Sequence, residues 1–420
     1  MRGLPPPYFC TYHPYYNFPM AEPTQAPTPA APDVRLLRSI TLRNILSFGP
    51  DTPPLELRAL NVLIGPNGSG KSNLLDAVEL LKKAPDAENL KRELKADHWF
   101  WKGKLTANSI VIEAVTFQKG LDETVNHNIT IDEDIFNAGW DIEELIISTG
   151  PHRSSSVPEI DFQSDYRGVK VSNGRDVTEI SRADFNYSAS CLFQLRGVRQ
   201  YHVLTILGHD YRKIRLYREW TFGRNSTPRL PRRTDERNDF LAEDGSNLGL
   251  VLSKLSTYPE VKDKFIDTLN ELYGGIKDFS VLTEGGTAQI FLREGNTSIP
   301  ATRLSDGTLR YLCLLAILLH PTPPPLICLE EPELGLHPDA IVAVGRLILA
   351  ASERTQLIIT THSDILVDVL GQVPENIVVC EKHDGQTQMT RLNEADLRGW
   401  LERYSLSQLW TKGKLGGNRW

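Results

Sequence analysis

Two adjacent carboxylates, Glu330 and Glu331, close the short apolar run Leu326 to Leu329 and are followed at once by Pro332. Paired acids at the end of a buried strand can bind a divalent cation and activate a water. α/β nucleotide hydrolases place that chemistry at the carboxyl ends of their strands. It requires a phosphate cradle, and GPNGSGKS at residues 65 to 72 has the spacing of one. Glycines let backbone N–H groups approach phosphate oxygens, Lys71 can reach the β- and γ-phosphates, and the Ser72 hydroxyl can ligate magnesium. The expected ligands are ATP and Mg2+. The expected nucleotide contacts are Gly65, Pro66, Asn67, Gly68, Ser69, Gly70, Lys71, Ser72 and Asn73.

Two further positions carry chemistry. Leu304-Ser305-Asp306-Gly307 opens an apolar helix, and such a start is an anion site to which Ser305 adds a hydroxyl, although taken alone it is a common helix cap. His362 stands at the tip of the apolar run Gln356 to Thr361, after the carboxylate strand, where it can polarise an attacking water or sense a γ-phosphate.

These groups need strands and helices to position them. From Val34 the chain alternates in strand fashion, through VRLLRSITLRNILSF, LELRAL and NVLIG, and the last of these runs into the phosphate loop. An apolar-periodic helix (Leu74, Leu75, Val78, Leu81) follows, the context the loop motif demands. Strands are expected at 109–118 and 125–131, a hairpin near Asn173 and Gly174, helical periodicity over 246–273, two strands over 278–293, a helix over Thr308–Leu319, another over Asp339–Ala351, and strands at 376–381 and 387–392. The fold class is therefore α/β with a P-loop.

Residues 1 to 33 are rich in Pro and almost uncharged, and are expected to be a disordered tail, with Met20 a possible translation start. No basic segment followed by an unbroken apolar one marks a signal peptide, and no apolar run spans a bilayer, so the chain is expected in the cytoplasm with no membrane partner. A net charge of −7 argues against coating nucleic acid unaided but allows a local basic face. Two segments could supply one. Residues 84–108 mix lysines with Trp99, Phe100 and Trp101 and read either as a nucleic-acid grip or as a solvated excursion. Nine bases crowd Tyr211 to Arg237, which read either as phosphate contacts or as an arm pairing with the acidic stretch around Asp132 to Glu144. That acidic stretch is read as a solvated face. Five cysteines without a CxxC pair are expected to be reduced, with Cys313, Cys328 and Cys380 inside apolar runs.

GPNGSGKS, LSDG, LICLEEPELGLHP and TTHS, in that order, resemble ABC-type ATPases of the RecF, SMC and OLD kind, and most closely stand-alone AAA-family (AAA-21) ATPases of bacteria. The resemblance covers most of residues 34 to 420. It implies a two-lobed head with mixed sheets and a helical insert: a P-loop lobe of 34–149 joined by 320–420, and an insert and signature-bearing lobe of 150–319. It implies a homodimer formed on ATP binding, with Lys71 and Ser72 of one protomer facing Ser305, Asp306 and Gly307 of the other. Glu330 would hold magnesium, Glu331 would activate water, Gly335 to Pro338 would form the dimer contact and His362 the switch histidine. The magnesium carboxylate is more often Asp in such heads, and the signature glycine pair is Asp306-Gly307 here. The family's magnesium-sensing glutamine is assigned to Gln194, with Gln118 as the alternative.

Between phosphate loop and signature there are no sustained heptads and no CxxC hook, which separates the chain from long-armed relatives, and the span after His362 is expected to be too short for a Toprim nuclease. No guanine-reading segment suggests a GTPase. The expected activity is ATP hydrolysis coupled to a DNA-linked process such as repair or phage defence. The alternative is a nucleotide-sensing scaffold that controls a separately encoded nuclease or toxin.

Overall fold

In a computed structural model of the chain, the strand that feeds the phosphate loop, β3 (Leu60–Ile64), is buried at all five positions. An apolar run with no polar face belongs in the interior of a sheet covered on both sides, and β3 lies inside a six-stranded sheet. Its order is β10 (Arg215–Tyr217), β15 (Leu326–Glu330), β16 (Gln356–Thr360), β3, β17 (Ile377–His383), β18 (Gln386–Arg391). All neighbours are parallel except β17 and β18. The carboxyl ends of β10, β15, β16 and β3 therefore share one edge, where open α/β sheets bind ligands.

The structure describes residues 33–88, 99–101, 103, 109–118, 123–132, 142–148, 161–165, 168–172, 177–180, 184, 186, 189–195 and 202–416. The expected tail, apart from Asp33, lies outside them, as do Glu133, Asp134 and Asp141 of the acidic stretch and the turn at Asn173 and Gly174. Val34–Trp420 form one compact unit.

A second, antiparallel sheet has eight strands: β2 (Leu55–Glu56), β1 (Leu37–Arg43), β4 (Ser109–Gln118), β5 (Glu123–Asp132), β6 (Ile142–Ser148), β7 (Asp161–Asp165), β8 (Gly168–Ser172) and β9 (Val177–Ile180). β4 alternates buried and half-buried residues along its length, as a strand with one face on a core must. A third sheet joins β11 (Arg232–Arg233), β13 (Thr287–Glu294) and β12 (Ile276–Glu284), with β14 (Thr297–Pro300) beside β13. The lobe boundary expected at 150 falls between β6 and β7, which pair with each other, and β10, from the expected insert, joins the six-stranded sheet.

Among the described residues the helices are α1 (Lys71–Lys83), α2 (Cys191–Gln194), α3 (His202–Lys213), α4 (Leu248–Leu255), α5 (Pro259–Leu272), α6 (Asp306–Leu318), α7 (Pro338–Ser352), α8 (Asp364–Leu370), α9 (Glu394–Leu401) and α10 (Leu406–Thr411). Two cores divide the work. One packs α1 and α3 on the eight-stranded sheet and one face of the six-stranded sheet, and the other packs α4, α5, α6, α7 and α8 on its opposite face. Each buried Leu, Ile or Val contributes about 1.5–3 kcal/mol relative to exposure, so these layers fix the sheet edge rigidly.

Both candidate basic segments make contacts within the chain. Trp101 is buried, while Trp99 and Phe100 pack partly buried against the first core, and backbone bonds from Leu46 to Trp99 and from Trp101 to Asn44 hold the segment inward. Those rings are spent on packing. In the stretch 211–237, Arg212 pairs with Asp86, Arg218 with Asp76 and Glu330, Arg229 with Asp306, and Arg233 with Asp235. Arg237 also pairs with Asp239, and Arg215 and Arg232 donate to backbone carbonyls, so seven of the nine bases are engaged inside the chain, and these acidic partners lie outside the stretch 132–144. Among the described residues Cys191, Cys313, Cys328 and Cys380 are buried and form no disulfide, and burial pushes the last three thiols up.

Candidate active site at the carboxyl edge of the parallel sheet

The phosphate loop leaves β3 through Gly65, at φ +147°, where a Cβ would stand 2.1 Å from the Cys380 carbonyl. Only glycine fits there. Gly70, at φ +100°, caps α1, and a Cβ on it would meet the Thr387 hydroxyl at 2.1 Å. Thr387 Oγ1 lies 2.9 Å from the Ser69 carbonyl and 2.6 Å from Ser47 Oγ, and Asn73 donates to the same Ser47 hydroxyl. The loop is thereby clamped to β18. Ser47 and Thr387 carried no motif, so sequence reasoning missed them. Lys71 Nζ donates to the carbonyls of Gly65 and Pro66 at 2.8 and 3.0 Å, and its burial lowers its pKa. Asn67 and Gly68 stand in the same turn, with Gly68 at φ +76°.

Sheet order carries the carboxylates to this loop. β15 and β3 flank β16, and Glu330 pairs in register with Thr360 at the shared edge. Ser72 Oγ donates to Glu330 Oε1 at 2.5 Å, so the expected magnesium ligands converge. Mg2+ keeps several waters and takes phosphate oxygens, needing only one or two protein oxygens, and this pair fits that demand. Among the described residues no cluster of three or more His, Cys, Asp or Glu forms a further metal centre.

Glu331 turns the chain away from the sheet at φ +46°, a left-handed conformation unusual for a residue with a side chain, and its N–H donates to the Thr360 carbonyl. Burial raises its pKa first, and the charges of Glu333 and Glu330 raise it further. His362 Nε2 lies 3.7 Å from Glu331 Oε1. Glu333, which sequence reasoning passed over as part of a loop, is buried and accepts from the Thr361 hydroxyl and the His362 N–H.

At the signature, Ser305 caps α6 by accepting from the Thr308 N–H at 3.0 Å. Gly307 lies against the loop after the carboxylates, since a Cβ there would stand 2.9 Å from the Gly335 carbonyl. Arg229, buried, donates to the carbonyls of Gly223, Ala301 and Leu304 and pairs with Asp306. That arginine was legible only as one of nine bases.

Gln194 is not brought to the site. Its amide closes a local turn onto the backbone of Asn186 and Ala189, and α2 packs near the 3-10 turn Ala84–Asp86, at the end of α1 opposite Lys71. Gln118, the alternative, is a buried residue of β4 that donates to Thr116. The side chain beside Glu330 is Arg218, one step beyond the β10–β15 pair Tyr217–Leu329. Its Nε donates to Glu330 Oε2 at 2.8 Å and its Nη1 to Asp76 at 2.6 Å. Burial opposes its charge, but the bonds to Glu330 and Asp76 prevail and raise its pKa.

Residues 60–368 match the family model described as "AAA domain, putative AbiEii toxin, Type IV TA system". Over 56 residues the chain is 46% identical to the chromosome partition protein Smc of Desulfitobacterium hafniense (strain Y51), a stretch that is 13% of this chain and 5% of that protein. Among solved structures it is similar to an Smc head bound to the C-winged helix domain of ScpA, with TM-score 0.54 and 14% identity over 86% of this chain and 99% of that one. It is equally similar, at TM-score 0.54 and 14% identity over 87% and 98%, to an Smc head with an extended coiled coil bound to the C-terminal domain of ScpA derived from Pyrococcus furiosus. The fold is thus the P-loop NTPase fold of Smc head domains. No helix among the described residues is long and apolar enough to cross a membrane.

Proposed function

The chain belongs to the AAA-domain family whose model it matches over residues 60–368, and on that premise we propose that it is an ATPase whose dimerisation is gated by ATP and regulates a DNA-linked process such as repair or phage defence. The observation that carries the reading is the contact of Ser72 with Glu330, beside a second carboxylate and a histidine. Lys71 exchanges its bonds to Gly65 and Pro66 for the β- and γ-phosphate oxygens. Ser72 and Glu330 would hold Mg2+, which would neutralise charge on those oxygens. Glu331 would accept the proton of the water that attacks the γ-phosphorus as the bond to the ADP oxygen breaks, and its raised pKa suits a base. His362 orients that water or senses the γ-phosphate.

Dimerisation is supported by Leu334, an apolar side chain half exposed on the loop after the carboxylates, and by Gly307, whose packing on Gly335 links signature and contact loop within one chain. Ser305, Asp306 and Gly307 would complete the partner's site, so a monomer should be nearly inert. The experiment is ATP turnover with and without double-stranded DNA, read beside mass photometry. Mg2+-dependent turnover that rises with the dimer fraction supports the reading, and stimulation by DNA supports its DNA link. Negligible turnover with a stoichiometric co-purifying partner would instead favour the scaffold, in which occupancy alone signals to a separately encoded effector.

A further inference from the structure

Glu330 has both oxygens engaged: Ser72 donates to one and Arg218 to the other. Arg218 also lines two cavities, together with Glu219 and Trp220, which line both. A smaller one of about 250 Å³ is lined by Arg218, Trp220, Arg310, Glu330, Glu331 and Leu334, and a larger one of about 610 Å³ by Asp76, Glu79, Arg218, Glu219, Glu243 and Asp244 among others. The guanidinium reaches both, with Nε on Glu330 and Nη1 at 2.6 Å from Asp76 and 3.5 Å from Glu79. A fixed cation beside a carboxylate repels a second cation that seeks the same oxygens. The acids on the far side give that guanidinium somewhere to go without losing its counter-charge.

We propose that Arg218 is a displaceable counter-ion: it holds Glu330 in the metal-free chain and withdraws onto Asp76 and Glu79, along the wall of the larger cavity, when Glu330 is engaged by a divalent cation. The proposal rests on the reading that Glu330 is the metal carboxylate. Arg218 is then a positioning residue, which keeps Glu330 pointed at Ser72 and sets how much cation is needed to claim it. Without a counter-ion, Glu330, Asp76 and Glu79 would face one another as like charges.

The test is Mn2+ binding to the full chain with ADP present, followed by electron paramagnetic resonance, with no turnover needed. Arg218→Gln should tighten Mn2+ binding by about tenfold, because a unit charge is removed beside the ion. Arg218→Lys, which keeps the charge, should stay within about twofold of the parent. Asp76→Asn combined with Glu79→Gln should weaken binding several-fold, because the guanidinium then has only Glu330 to hold. That pair leaves Arg218 in place and keeps the question answerable if Arg218→Gln does not fold. Unchanged or weaker Mn2+ binding in Arg218→Gln, or a fall in melting temperature as the sole effect, overturns the proposal. Glu330→Gln separates the two layers: if it leaves Mn2+ binding intact, the metal reading itself falls and takes the proposal with it.

Discussion

Thr361 donates its hydroxyl to Glu333 at 2.6 Å, and the same carboxylate oxygen accepts the His362 N–H at 2.9 Å. One buried acid thus ties the loop after Glu330 and Glu331 to the tip of the histidine strand. Its other oxygen, Oε2, has no partner and is also buried, so the group bears a desolvation cost that its two bonds must offset. Glu333→Gln should loosen His362 and lower kcat by about tenfold or more with little change in KM, because the lost interaction orients a reacting group. It should also move the acid limb of the pH profile to lower pH, since the Glu333 charge helps raise the Glu331 pKa. A variant with wild-type kcat and an unmoved acid limb would show that Glu333 only packs.

Arg229 should govern the signature turn. It is buried and bonds four carbonyls, those of Gly223, Ala301, Thr302 and Leu304, and Asp306, so truncation leaves those acceptors unmatched. Removing one partner of a buried pair costs about 3–5 kcal/mol, although Asp306 is itself half exposed, which places the expectation at the lower end. Arg229→Met should lower the melting temperature and weaken ATP-dependent dimerisation together, as calorimetry and mass photometry would record. Normal stability with lost dimerisation would move Arg229 from support to contact.

What was legible in the sequence follows from how local each signal is. GPNGSGKS and LICLEE are contiguous, and the rules that place them, glycine at positive φ and an apolar run ending in acids, act within a few residues, so Ser72 and Glu330 could be paired from the sequence. Thr387, Glu333 and Arg229 act across the fold, through contacts whose partners are distant in sequence, and no local spacing betrays them. The glutamine failed for a related reason. A search by residue type chose Gln194, whereas the parallel pairing of β10 with β15 decides which side chain stands beside Glu330, and that pairing brings Arg218. KIRLY followed by a charge has the same shape as LICLE, a clue masked by reading the arginines as one basic stretch.

Gly307 tests the link between signature and contact loop. The atom that a Cβ would meet, at 2.9 Å, is the Gly335 carbonyl, a backbone group that cannot swing aside. Gly307→Ala should therefore push the two loops apart, costing about 1–3 kcal/mol as overpacking does. The dimer formed with ATP should be weakened more than nucleotide binding to the monomer. Equal loss of both, measured by fluorescent nucleotide titration beside mass photometry, would show that the packing serves the monomer alone.

Glu331 bears on both rate and stability. A base must be ionised, so the rate should fall on acidification at a pH above the 4.5 of an ordinary glutamate, because burial and the charges of Glu333 and Glu330 hold its pKa up. The sign for stability is the reverse of the usual carboxylate case. The folded chain binds this proton more tightly than the unfolded chain does, so stability falls as pH rises from 4.5 through the raised value, and at neutral pH the ionised side chain is a burden on the fold. Glu331→Gln removes the charge and keeps the shape. It should lower turnover by about 10²–10⁴-fold, prolong the ATP-bound dimer, and raise the melting temperature at pH 7, with the gain vanishing below pH 4.5. Calorimetry at the two pH values decides the point. A variant less stable than the parent at pH 7 would mean that Glu331 is held by favourable contacts, and a variant turning over at the parent rate would remove it from the chemistry.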